Sequence, residues 1–151
     1  SRKTKICIFK STVESVLLYG CQTWTIDKSL EKRIDGCYTR MLRMVLNISW
    51  KDKVTNKDLY GNLNKLTEIV KERRLRLAGH CVRHDDEIAH HLVLWEPTRG
   101  TRNRGRPAVT FINNLKDDTT LENAEEIKVR MNNRKEWKKF AKSGRANARP
   151  K

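Results

Sequence analysis

An all-α fold is predicted by three features of the sequence. Apolar residues recur at three- and four-residue intervals, caps and stops bracket those blocks, and no segment alternates apolar with polar as a half-buried strand would. The class they describe is a small multi-helix bundle, with a basic loop joining two helical subdomains and a frayed basic tail. The 151 residues are enough for a real core. Only 37% of them are hydrophobic, but these fall in periodic blocks, which marks a charged helical domain rather than a disordered chain.

The elements follow in order. Ile6, Phe9, Val13, Val16 and Leu17 form one helical face over Lys5–Tyr19, with Gly20 as the stop. Thr25 or Asp27 caps a second helix to about Leu46, striped by Leu30, Ile34, Cys37, Tyr38, Met41, Leu42 and Val45. Thr55, with Asp58 behind it, starts a short helix that ends at Gly61. Thr67 is the expected cap of a longer, arginine-rich helix from Glu68 to about Arg83, and Glu87 to Leu94 forms a short one. Pro107 suits the first turn of the next helix, carrying Val109, Phe111, Ile112 and Leu115. Thr120 is the expected cap of "LENAEEIKVRMNN", whose acidic start and basic end match the helix dipole. Asn132 or Asn133 opens a last helix through Trp137 and Phe140. The expected division is a helical subdomain over 1–96, a basic linker loop over 97–107, a second helical subdomain over 108–142 and a tail over 143–151.

Charge speaks most directly to partners. The net charge is +15, made up of +5 over 1–50, +2 over 51–100 and +8 over 101–151. An excess of this size favours a polyanion, nucleic acid before an acidic membrane surface. No apolar run approaches the ~20 residues of a membrane span, so no membrane partner is expected. The four cysteines, Cys7, Cys21, Cys37 and Cys81, are dispersed with no CxxC spacing. They read as reduced core residues of an intracellular protein, in cytoplasm and nucleus. The chain does not begin with Met, as expected of a segment of something longer.

Several constellations hint at chemistry and fall short of it. "GTRNRGRPAV" holds the Arg-Gly-Arg-Pro of an AT-hook, but charge flanks it on one side only and an apolar helix follows. Its Gly100-x4-Gly105 spacing puts Arg106 and Pro107 where a phosphate loop needs Lys and Ser or Thr. His80, Cys81 and His84 offer one HxxxH pair, whereas tetrahedral zinc wants four converging ligands. Asp85-Asp86 and Asp117-Asp118 abut helix ends, and Glu126-x-Lys128 lies mid-helix, so none sits as a Mg²⁺ site of a nuclease or polymerase requires. No catalytic residue, metal, cofactor or small-molecule substrate is therefore expected. Trp24, Trp50, Trp95, Trp137, Tyr19, Tyr38 and Tyr60 could each stack on a base, yet most lie beside apolar stripes. The stronger candidates for contact with a phosphate backbone are Arg73, Arg74, Arg76, Arg83, Arg99, Arg102, Arg104, Arg106, Lys138 and Lys139.

Four blocks in a fixed order carry a resemblance: "VLLYGCQTWT" (Val16 to Thr25), "RMLRMVLNISWKDKVTN" (Arg40 to Asn56), "RRLRLAGHCVRH" (Arg73 to His84) and "RGRP" (Arg104 to Pro107). Together they resemble the C-terminal part of reverse transcriptases of non-LTR retrotransposons, of the RTE-like kind with an apurinic-type endonuclease upstream. The resemblance spans nearly the whole chain. It implies the helical thumb and the region after it, without the Tyr/Phe-x-Asp-Asp hairpin of the catalytic palm and without the endonuclease. Such a segment is not an enzyme by itself. It would grip template–primer or element RNA, with the rest of the reverse transcriptase polypeptide as its other partner. The chain departs from the pattern at Gln22, where relatives usually show Glu, at Phe111, near which they show Trp or Tyr, and at "NRKEW" (Asn133 to Trp137), where they show Asp-Arg-x-x-Trp. The alternative is a degenerate or host-adopted helical module that binds protein.

Overall fold

The structure, a computed structural model, describes residues 1–95, 105 and 110–143. Among these every regular element is helical and there is no strand, so the fold is all-α, as the periodicity predicts. The chain divides into two compact units, one of Ser1–Cys21 with Asp27–Val70 and the other of Gln22–Ile26 with Lys71–Lys151. The packing thus divides inside a helix, at Val70/Lys71. The physical reason is that the helix contributes its first turn to one core and its remaining turns to the other. Of the expected loop only Gly105 is described, and the tail beyond 143 lies outside the described residues.

In the first unit, α1 (Arg2–Phe9) runs through a π-helical turn, Lys10–Glu14, into α2 (Ser15–Leu17). The "STVES" hydroxyls account for the widening. Ser11 and Thr12 donate to the Ile8 carbonyl at 3.0 and 2.7 Å, and Ser15 donates to that of Ser11 at 2.7 Å, competing with the backbone ladder. The extra residue rotates the buried face. Phe9 is followed inward by Glu14, Leu17 and Leu18, so Val13 and Val16, expected in the core, are exposed.

The next helix, α3 (Lys28–Leu46), is capped by Asp27, whose carboxylate accepts from the Leu30 N–H at 2.7 Å, and ends at Asn47 in the left-handed region. Tyr38 and Leu42 are its buried residues. Leu30 and Cys37 stay at the surface; Cys7 is exposed too, so only Cys21 and Cys81 are the core cysteines expected of all four. Tyr38 stacks obliquely on Phe9 at 5.6 Å and donates to Glu14 Oε2 at 2.6 Å. That bond satisfies the carboxylate which the π turn brings inward.

Thr55 caps α4 (Asn56–Tyr60), and Gly61 ends it at φ 51°. The cap of α5 (Leu66–Val82) differs from expectation. Thr67 lies inside the helix and is itself held, its N–H donating to Asp35 Oδ1 at 3.1 Å and its hydroxyl to Asp35 Oδ2 at 2.9 Å. A carboxylate 32 positions earlier thus satisfies an orphan N–H of the first turn, and Thr67 donates where it was expected to accept. Asp35→Ala is expected to lower the thermal-denaturation stability by about 1 kcal/mol, as loss of an N-cap does.

The second unit packs the rest of α5 with α6 (Ile88–Val93), α7 (Phe111–Thr119), α8 (Ala124–Asn132) and α9 (Arg134–Ser143). Its core is Leu75, Ala78, Val82, Leu115, Ile127, Met131, Trp137 and Ala141, with Phe111, Leu121 and Phe140 half-buried against it. Two caps move relative to the sequence expectation. The α7 helix begins at Phe111 under Thr110, which accepts from the Asn113 N–H, so its first turn lies beyond Pro107, which is outside the described residues. Thr120 ends α7 at φ 58°, and Asn123 caps α8 instead.

Candidate nucleic-acid interface

Along α5 the arginines separate by helical phase. Arg73 and Arg76 are exposed, and Arg83 is half-buried. With His80 they fall within about 80° of the helix circumference, at 100° per residue. Arg74, one step round from Arg73, points into the second unit. It is 2% exposed, pairs with Asp118 Oδ2 at 2.6 Å and donates to the Trp24 carbonyl at 3.1 Å. Asp118 also lies 3.7 Å from Lys71 Nζ. Asn114 completes this polar joint, accepting from the Ile26 N–H at 2.8 Å and donating to the Ile26 carbonyl at 3.1 Å. The joint fixes Trp24–Ile26 on α5 and α7. Arg74, expected at a phosphate-facing surface, is therefore withdrawn from solvent, and Asp118 is engaged as its counter-charge.

A close helix–helix seam defines the other side of α5. Trp137 of α9 is 3% exposed, and its indole Nε1–H donates to the Leu75 carbonyl at 2.8 Å. A Cβ built on Gly79 would collide with that indole, meeting Cδ1 at 2.5 Å and Nε1 closer still. Gly79 is thus the gap through which the ring reaches the α5 backbone. Trp137 stacks on Phe140 at 5.4 Å. With Trp137 and Ala141 inward, α9 turns Arg134, Lys135, Lys138, Lys139 and Lys142 outward, with Glu136 its lone acidic residue. Where α5 ends, Arg83 Nη1 donates to the Met131 carbonyl at 2.7 Å, close by the start of α9. Burial, with the neighbouring Arg134 charge adding to it, holds the Arg83 guanidinium below its ordinary range. The basic faces of α5 and α9 therefore flank one seam, although 51 positions separate Arg83 from Arg134 in the chain. Sequence reasoning singled out Lys138 and Lys139 within a basic stretch from 134 onward, but no local signal ties Arg134 to Arg83. Arg99, Arg102, Arg104 and Arg106 lie outside the described residues.

The remaining constellations resolve in detail. His80 and His84 meet edge to face at 4.3 Å on α5 and its end, while Cys81 turns into the core. Burial, then the Glu87 carboxylate, push the Cys81 thiol up, away from the thiolate a metal would need. Among the described residues no three His, Cys, Asp or Glu side chains converge as a metal site. Asp85 Oδ1 lies 3.2 Å from His90 Nδ1, and Glu126 pairs with Arg130 at 3.1 Å on the exposed face of α8. Among the aromatics, Tyr38 and Trp137 are buried, Trp24 and Tyr60 half-buried, and Tyr19, Trp50 and Trp95 exposed. No helix among the described residues is long and apolar enough to cross a membrane.

No family model and no solved structure matches the chain. Over 132 residues, 82% of its length, it is 26% identical to an uncharacterized transposon-derived protein of Caenorhabditis elegans. It spans about half, 47%, of that relative's own length. What this chain is similar to is a transposon-derived protein.

Proposed function

We propose that the chain is a nucleic-acid-binding C-terminal segment of a retrotransposon reverse transcriptase, with no catalytic residues of its own. It grips template–primer or element RNA by the phosphate backbone, through the basic faces of α5 and α9. The observation that supports this most is the Gly79–Trp137 seam, which packs two separately basic helices against each other. Likeness to a transposon-derived protein agrees with it, as does the motif order described above. Contacts of this kind read shape and charge, with little base specificity.

A salt titration with an RNA duplex and an RNA–DNA duplex tests the reading. If four phosphates are engaged, affinity falls on the order of a hundredfold between about 50 and 200 mM salt. Weak binding at low salt, or affinity flat against salt, rejects it.

A second reading, a helical protein-interaction module, is favoured by the apolar side chains left at the surface of the first unit, Val16 at 77%, Tyr19 at 88% and Trp50 at 83% exposed. Self-association that survives nuclease treatment and high salt would select it.

A further inference from the structure

We propose that Arg83 and Arg134 together form a seat for a single phosphate oxyanion, built where the end of α5 meets the α8–α9 turn. The inference rests on the nucleic-acid reading above, in which the oxyanion is one phosphodiester of the bound backbone. Its geometry comes from the way Arg83 is anchored. Arg83 cannot swing freely, because Nη1 is bonded to the Met131 carbonyl at 2.7 Å and the guanidinium lies back over Gly79. Met131 stands in the last turn of α8, and Arg134 opens α9 just past Asn133. The anchored guanidinium therefore lies at the α8–α9 turn, by the start of α9, where the Arg134 charge acts on it. Among the described residues neither arginine has a carboxylate partner, although carboxylates pair with Arg74, Arg76 and Arg130.

Two like charges held together, one of them partly desolvated, repel each other until an anion arrives. Burial first, and then the Arg134 charge, depress the basicity of Arg83. A phosphate oxyanion suits the gap better than a carboxylate side chain of the protein would. It offers several acceptor oxygens to two planar forks, and its charge relieves both guanidinium groups at once. The general basic face of α9 attracts a backbone; this pair would fix its register.

Nitrogen-15 spectra of the arginine Nε–H groups in the full chain, titrated with inorganic phosphate against chloride at equal ionic strength, test the seat. Arg83 and Arg134 are expected to shift together and to saturate, and Arg134→Gln is expected to abolish the Arg83 response. The same variant should weaken duplex binding by about tenfold more than Lys32→Gln, an equal charge loss on α3, with unchanged thermal unfolding. A flat phosphate titration, or equal losses for the two variants, overturns the seat while salt-dependent duplex binding by the wild type keeps the wider reading. A saturating phosphate response in a protein that binds no duplex upholds the seat and rejects the nucleic-acid reading.

Discussion

Trp137→Ala is expected to destabilise the protein by about 3–5 kcal/mol, the range for losing a buried aromatic ring, measured by chemical denaturation. That is a large part of the ~5–15 kcal/mol that holds a typical domain together. The ring is buried in the core of the second unit and also donates to the Leu75 carbonyl, so truncation removes both packing and a buried hydrogen bond. The sharper form of the experiment adds Gly79→Ala. In the wild-type background the new methyl strikes the indole, and overpacking of this kind costs about 1–3 kcal/mol. Once Trp137 is alanine, nothing of the ring remains to strike. The same Gly79→Ala change should then stabilise α5 by up to about 1 kcal/mol, because alanine is the better helix former. A reversal of sign between the two backgrounds is the signature of direct contact. Additive effects would mean that the seam is not what fixes Gly79. Phe111, expected from sequence to be a core ring, is only half-buried, and its truncation should cost less than that of Trp137.

The second large effect is at Arg74. Arg74→Ala leaves Asp118 without its 2.6 Å partner and frees the Trp24 carbonyl. Removing one member of a buried ion pair is expected to cost about 3–5 kcal/mol. Arg73→Ala, one residue earlier and exposed, should cost about 1 kcal/mol or less. Binding should respond the other way round. At a temperature where both variants are folded, Arg73→Ala weakens duplex affinity and lowers the salt slope, while Arg74→Ala leaves the slope unchanged. Equal stability losses at the two positions would remove the inward-facing role assigned to Arg74.

These adjacent arginines mark the limit of what one-dimensional reading reaches. Both are basic residues on a helix that the sequence foretells, and composition treats them alike. Only the 100° between successive side chains separates them, and which phase faces inward depends on what α7 presents there. The caps divide in the same way. Asp27 and Thr55 cap helices whose first turns lie within three residues, so local pattern was enough. At α5 the donor is satisfied by Asp35 across space, which no local pattern contains. The π turn is a middle case. The hydroxyls that provoke it are written in "STVES", yet the helical spacing that placed Val13 and Val16 inside assumes an unbroken ladder.

Helical character, the approximate starts and stops of the helices, and a strongly basic surface were all legible in the order of residues alone. Those properties depend on short-range periodicity, capping chemistry and summed charge. Tertiary structure alone decided which arginines are structural, where the chain divides into units, and that the faces of α5 and α9 share one seam. The reason is physical. Gly79 and Trp137 carry no mutual signal until the indole fills the space a Cβ would take. Arg83 likewise comes under the Arg134 charge only when the end of α8 supplies the carbonyl that anchors it.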